Sequence, residues 1–328
     1  MAERVLVTGI SGYIGQHCAA ELLNRGFEVV GTVRSRSRSE ATRAAIAAVA
    51  PVERLTFVEV DLLADTGWDD AMHGCAYVMH VASPFVFAEP KDESAIIEPA
   101  VEGTRRVIEA ARRAGVKRVV LTSSTFAMIA GKPTGRYGSD AWSDTGSDIG
   151  AYAKSKTLAE RAAWDAIAGG ATELVVINPG AVYGPPVGAE VRGESLTFMR
   201  NMIDGKMPMV PDIAMGMVDV RDVARLHVAA MTTVGAAGRR FIAATAEPVE
   251  MQHFAQVLRD AGYAKAPSRR APNAMIRLMS LFDRQARGMI PFLGRKASYE
   301  NQPTFDILGW QPTPIEDSIR EMAASISQ

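Results

Sequence analysis

Val5-Leu6-Val7-Thr8-Gly9-Ile10-Ser11-Gly12-Tyr13-Ile14-Gly15 is the stretch from which the rest of this chain is read. Val5, Leu6 and Val7 form a short apolar run of the kind that lies inside a parallel sheet. Cys18, Ala19, Leu22 and Leu23 then repeat at helical spacing, and the pattern stops at Asn24-Arg25-Gly26. Three glycines, each three residues apart, therefore stand between a buried strand and a helix. Gly9 lets the chain turn sharply, Gly12 lets backbone come close to a pyrophosphate, and Gly15 lets the helix pack on the strand. Free N–H groups and the positive end of the helix dipole face the anion. A glycine-rich turn alone is a weak signal. With a strand before it and a helix after it, the stretch predicts dinucleotide binding, with Thr8, Tyr13 and Ile14 in the same turn.

Composition narrows the remaining classes. The 328 residues suffice for one large or two smaller domains, and 48% apolar with 22% charged residues is ordinary for a globular protein. A net charge of −1 provides no field for nucleic acid or an anionic membrane. Only Cys18 and Cys75 are present, so no disulfide framework or Cys-x-x-Cys metal pair is possible, which fits a reducing compartment. The chain enters a strand almost at once, so no signal peptide is expected, and no apolar stretch approaches the ~20 residues that span a bilayer. A cytoplasmic location is expected. The five histidines stand apart from one another at no ligand spacing, so no metal site is expected.

Outward from the glycine turn, strand and helix patterns alternate. Strands are expected at 28–33, 55–60, 76–81, 117–121 and 172–177, with helices at 39–50, 96–114 and 148–168. That alternation predicts an α/β fold with a doubly wound parallel sheet. Beyond about residue 180 the alternation loosens. Helices are expected at 194–204, 219–231, 251–261 and 274–287, with a strand at 239–243. The expected organisation is a dinucleotide-binding domain at 1–180 and a smaller, mostly helical substrate-binding lobe at 181–328, with segments that re-enter the main domain. Methionine is concentrated in that second part, and ordinary core filling accounts for at least half of these residues.

Several residues point to chemistry at the carboxyl edge of the sheet. The second strand ends in Val33-Arg34, where a dinucleotide fold meets the adenosine ribose. An arginine there suits a 2′-phosphate, and the competing reading is a solvated basic loop. Asp61, followed by Leu62, ends the third strand, either to accept from the adenine amino group or to serve as a turn or N-cap residue. Val81, Ala82 and Ser83 are small enough to admit a cofactor to the backbone after the fourth strand. Thr122-Ser123-Ser124 ends the fifth. Asn178-Pro179-Gly180 through Val182 stands where the nicotinamide would be walled. Tyr152 and Lys156 are four apart at the opening of a helix, so both face one way. An ammonium beside a phenol favours phenolate and lowers the tyrosine pKa, which suits Tyr152 to proton transfer. Ser124 is placed to hold a substrate oxygen, and Lys156 to bond the nicotinamide ribose. The apolar residues Phe85, Phe126, Met128 and Val187, with the methionine-rich stretch 199–217, are the candidates to face a substrate. Arg192 and Arg200 leave a diphosphate clamp open.

Taken together, these motifs resemble extended short-chain dehydrogenases of the dihydroflavonol 4-reductase and cinnamoyl-CoA reductase type, with their bacterial aldehyde and ketone reductase relatives. Thr8–Gly15, Thr32-Val33-Arg34, Asp61-Leu62, His80–Pro84, Leu121–Ser124, Tyr152–Lys156 with Ala159-Glu160, Asn178–Pro185 and Leu308-Gly309-Trp310 carry the likeness over nearly the whole chain. It implies Ser124, Tyr152 and Lys156 as a catalytic triad, Arg34 at the 2′-phosphate of NADPH/NADP+, Asp61-Leu62 at adenine, and hydride transfer to a carbonyl. The chain departs from the family at Asp219-Val220-Arg221-Asp222, where a Val-Asp-Asp segment is usual. The expected partner is a small-molecule carbonyl compound, bulky and mostly apolar or aromatic, and a homodimer stays open. Competing readings are a nucleotide-sugar epimerase or dehydratase on the same fold and a non-catalytic dinucleotide sensor. The absence of an acidic residue after the second strand speaks against the first, and the intact triad against the second.

Overall fold

The computed structural model describes residues 2–83, 89–188 and 193–327. Phe85, Phe87 and Arg192 lie outside them. Strand and helix alternate from the start. β1 (Arg4–Thr8) passes through the glycine turn into α1 (Tyr13–Asn24). β2 (Glu28–Val33) leads to α2 (Ser39–Ala47), β3 (Leu55–Glu59) to α3 (Trp68–Met72), and β4 (Tyr77–His80) to α4 (Ser94–Arg113). β5 (Arg118–Thr122) leads to α5 (Phe126–Ile129). A short β6 (Gly135–Tyr137) precedes α6 (Ala151–Ile167) and β7 (Glu173–Pro179).

The chain then leaves the sheet through β8 (Ala181–Tyr183), α7 (Glu194–Ile203), β9 (Met209–Val210), β10 (Ala214–Met215) and β11 (Met217–Asp219). It returns through α8 (Val220–Thr232) and β12 (Arg240–Ala243), and leaves again through β13 (Val249–Glu250), α9 (Met251–Asp260) and β14 (Arg269–Arg270). The last elements are α10 (Asn273–Met279), α11 (Arg284–Met289), β15 (Ala297–Tyr299), α12 (Gln302–Leu308) and α13 (Ile315–Ile326).

Seven strands form one sheet in the order β12-β7-β5-β4-β1-β2-β3, every neighbour pair parallel. The doubly wound sheet expected from the alternation is therefore present. Its strands are buried on both faces, as continuous apolar runs require: every residue of β5 is buried. α1 and α8 cover one face and α3, α4 and α6 the other. From β1 the connections run one way to β2 and β3 and the other way to β4 and β5. The crevice outside the carboxyl ends of β1 and β4 is thus the topological switch point, where ligands of such sheets bind.

A separate apolar core gathers α7, α9 and α13. Met199, Met202 and Met217 are wholly buried in it, with Met207, Met209 and Met215 packed against it. Met199, Met202 and Met217 thus fill a core rather than face a substrate. Three helix expectations need correction. The pattern at 148–168 starts as helix only at Ala151, because Gly150 takes φ 79°, ψ 147°. The span 274–287 is two helices, because the Asp283 side chain accepts from Ala286 N at 2.9 Å and starts α11 afresh. Ile315, Ile319, Met322 and Ile326 carry the spacing for α13, an element absent from the expectations. No helix among the described residues is long and apolar enough to cross a membrane.

Candidate active site

The glycine turn builds one wall of the crevice. Gly9 has φ 66°, and a Cβ on it would stand 2.9 Å from Ala82 Cα. A Cβ on Gly15 would stand 2.2 Å from the Gly9 carbonyl oxygen, so this glycine is what lets α1 lie on β1. At Gly12 the nearest atom would be the Gly9 oxygen at 3.2 Å, which leaves open space on the cleft side. Gly12 precedes α1 without any side-chain cap, and no acidic residue stands in the first turn. The leading N–H groups are free for an anion, so the turn fits the pyrophosphate of a dinucleotide. Ile14 packs on the core beneath. Tyr13 turns its ring away from that anion site. Its hydroxyl donates to the Gly184 carbonyl at 2.6 Å, and only its backbone remains for a cofactor.

Thr8 ties β1 to β4. Val81 N and Ala82 N both donate to its Oγ1, at 3.1 and 3.0 Å. The Thr8 hydroxyl proton is then left for His80 Nδ1, 2.8 Å away, so His80 carries its own proton on Nε2 towards Thr104, at 3.3 Å. Burial, and then the charge of Lys156, push the His80 pKa down to about 3, so the ring is neutral. This clamp sets the backbone of Val81, Ala82 and Ser83 against Gly9.

At the far end of the crevice, Arg34 is exposed, and among the described residues its side chain makes no hydrogen bond or ion pair. Asp61 Oδ1 accepts from Leu63 N at 2.9 Å, the turn role, while Oδ2 makes no hydrogen bond among the described residues. Leu62 lies against Gly103 of α4.

At the opposite wall, Ser124 follows β5 and its Oγ accepts from Phe126 N at 3.1 Å. The Ser124 hydroxyl also bonds the Tyr152 phenol. Lys156 lies one turn further along α6, buried, with its charge felt at His80. The three residues and the end of β4 therefore converge. One expectation fails here. Burial pushes the Tyr152 pKa up, and the Ser124 hydrogen bond opposes it. The desolvation of a phenol inside a dry cleft outweighs the helical spacing that suggested a lowered value. Lys156 is itself pushed down to about 8 by burial, against which Glu160 acts.

Several expected contacts turn elsewhere. The Thr122 hydroxyl is 2.6 Å from His227 Nε2 inside the sheet–α8 layer, so it does not face the crevice. A Cβ on Gly180 would stand 2.2 Å from the Gly216 oxygen, so this glycine serves the close approach of the strand before β11. Val182 is buried in the core and pairs with Val218, and the Pro179 carbonyl accepts from Thr125 N at 2.8 Å. Met128 is wholly buried with Ile242, Ala244 and Tyr299, which removes it from any substrate contact. Val187 precedes Gly188, whose backbone lies against Ala45 of α2 and near Gln16 of α1, away from Tyr152. Arg200 is exposed on α7. Phe126 does stand at the site, its ring centroid 6.0 Å from that of Tyr152.

Two residues beside Tyr152 were not anticipated. Phe292 stacks on Phe126 at 4.3 Å, and Glu89 Oε1 accepts from Ala151 N at 3.0 Å, capping the helix that carries Tyr152. Both line a small concavity with Phe126, Gly150 and Tyr152. Glu89 is 62 residues from its cap partner, so no local signal reveals it. The departure at 219–222 is structural. Asp219 caps α8 and accepts from Ser318, and Asp222 accepts from Trp310 and Thr313, so this segment fastens the C-terminal region.

The chain is similar to a cinnamoyl-CoA reductase of Medicago truncatula, with 35% identity over 78% of each chain. It is 33% identical to a putative NADPH-dependent methylglyoxal reductase of Candida albicans, over 78% of this chain and 82% of that one. Its fold matches the yeast methylglyoxal/isovaleraldehyde reductase solved with NADPH, with a TM-score of 0.82 at 23% identity over 98% of both chains. The profile of the NAD dependent epimerase/dehydratase family matches residues 5–244, and with the glycine turn, the Ser124 strand end and the Tyr152-to-Lys156 spacing in place, the chain belongs to that family.

Proposed function

We propose that this protein is an NADPH-dependent reductase of bulky, mostly apolar or aromatic aldehydes and ketones, with Tyr152 as general acid. The observation that carries the reading is the convergence of Ser124, Tyr152 and Lys156 on the switch-point crevice beside the uncapped start of α1. The names of the relatives, reductases of cinnamoyl-CoA and of methylglyoxal, support carbonyl reduction.

When bound, NADPH supplies the hydride. Gly9, Gly12, Gly15 and the first N–H groups of α1 would hold its pyrophosphate, with Val81 to Ser83 beside it, and Arg34 would meet the 2′-phosphate with a charge-assisted bond. Ser124 and Tyr152, whose hydroxyls interact with each other, would both hydrogen-bond the carbonyl oxygen of a bound substrate. Tyr152 is held protonated by burial, the form a proton donor needs, and gives its proton to the oxygen as negative charge builds there. Lys156 is mostly ammonium at neutral pH and stabilises the phenolate that remains. Phe126 and Phe292 present aromatic surface next to Tyr152, which favours an apolar substrate body.

The test compares kcat/KM for an aryl ketone or aldehyde, a short aliphatic one and a nucleotide-sugar, with NADPH oxidation as the signal. Turnover of the nucleotide-sugar alone replaces this reading with an epimerase or dehydratase.

A further inference from the structure

Behind Ser124 and Lys156 lies a buried polar cluster with no part in the chemistry described so far. Its centre is Glu160, one turn beyond Lys156 in α6 and 1% exposed. Glu160 Oε2 accepts from the Ser123 hydroxyl at 2.6 Å and from Asn178 Nδ2 at 2.9 Å. Oε1 accepts from Arg240 Nε at 2.6 Å. Asn178 Nδ2 also donates to the Ser124 carbonyl at 3.2 Å, and its buried Oδ1 has no hydrogen-bond partner among the described residues. Arg240 is held in turn by the Ser139 carbonyl at 2.8 Å and lies 4.0 Å over the Trp142 ring.

A buried ion pair adds little to stability compared with apolar residues of the same volume, so stability alone does not account for this one. Its placement does. One carboxylate grips Ser123, just after β5, and Asn178 on β7, whose amide also holds the Ser124 carbonyl, from the helix that carries Tyr152 and Lys156. We infer that Glu160 is a positioning residue of the reductive site: it fixes the Ser123–Ser124 strand end against α6 and supplies the negative charge that keeps Lys156 an ammonium while Tyr152 gives up its proton. The inference rests on the reductase reading for its second half only.

The electrostatic surroundings favour this assignment. The titratable groups near Lys156 are Tyr152 and Glu160 on its own helix and His80 from the end of β4. Burial keeps Tyr152 protonated and His80 neutral. Glu160 is buried four residues beyond Lys156 on the same side of α6, and its charge opposes the effect of burial on the amine. Removing the carboxylate therefore lowers the Lys156 pKa, because a negative neighbour favours the charged amine.

The experiment uses Glu160→Gln in the full chain. Competitive acetylation of the Lys156 amine across pH, read by mass spectrometry, gives its titration without any turnover. The expected result is a midpoint lower by about one pH unit, a high-pH limb of kcat that moves with it, and a KM for NADPH changed less than ~3-fold. A purely structural role lowers the yield of folded enzyme and moves neither curve. Should the single variant not fold, Glu160→Gln with Arg240→Met removes both buried charges and is read by the same two curves. An unmoved Lys156 titration overturns the inference. A moved titration in a protein that reduces no carbonyl compound leaves the positioning role standing and refutes the reductase reading instead.

Discussion

The last two glycines of the motif have different jobs, and a pair of alanine substitutions separates them. In Gly15→Ala the new Cβ meets backbone on both sides, at 2.2 Å from the Gly9 oxygen and 3.0 Å from Ile10 Cα. Neither atom belongs to a flexible side chain, so α1 has to retreat from β1 by about 0.8 Å to open the closest contact to 3.0 Å. Overpacking of this kind costs about 1–3 kcal/mol, and for a chain of this size that lowers Tm by roughly 1–5 °C. In Gly12→Ala the nearest atom is 3.2 Å away, and φ at this residue is −83°, which any residue adopts. Stability should therefore hardly change. The methyl group instead projects where a pyrophosphate would meet the N–H groups of α1. Losing one such charge-assisted contact weakens binding by roughly 1.5–3 kcal/mol, or about one to two decades. Thermal melting without ligand and NADPH titration by fluorescence measure the two effects separately. If Gly12→Ala melts as low as Gly15→Ala, or binds NADPH as tightly as the unsubstituted protein, the division of roles is wrong.

Three further outcomes are expected. Tyr152→Phe keeps the ring and loses the proton donor, so turnover should fall by at least ~100-fold with NADPH affinity retained; near-normal turnover would assign the proton to another group. Arg34→Ala should weaken NADPH by about one to two decades and NADH much less, and equal binding of both cofactors to the unsubstituted protein would remove Arg34 from the 2′-phosphate. The third concerns acid stability. Burial alone would raise the Asp219 carboxyl, but Arg221 and Ser318 outweigh it and hold the group below the usual carboxylate range. A depressed folded value adds stability in full above the unfolded value and loses it as pH falls through the folded one. Between about pH 6 and about pH 3 the urea midpoint should thus drop less steeply in Asp219→Asn than in the unsubstituted chain.

The reading of the first half of the chain from sequence succeeded where the signal is local and periodic. Parallel strands buried on both faces must be apolar throughout, so Val5-Leu6-Val7 and the later runs announce themselves, and the glycine spacing follows from backbone contacts only a few residues apart. Helix ends were harder. The start of 148–168 at Ala151 is set by the positive φ of Gly150, and its first N–H is capped by Glu89 from another part of the chain. The break in 274–287 was visible as Asp283 three residues before Ala286, a local capping signal that apolar spacing obscured.

The sequence by itself determined the doubly wound sheet, the glycine turn and the spacing that sets Tyr152 and Lys156 on one side of α6. These depend on contacts within about one helical turn or on the burial period of single strands. Tertiary structure alone decided which of the candidate residues face the crevice. Thr122 turns to His227, Tyr13 to Gly184 and Met128 to Tyr299, because each partner lies more than 100 residues away and the sheet faces are assigned only once every strand is in place. It also decided the electrostatics. Spacing in α6 brings Lys156 near Tyr152, but the dryness of the cleft raises the Tyr152 pKa, and desolvation is a property of everything packed around a group rather than of its neighbours in sequence.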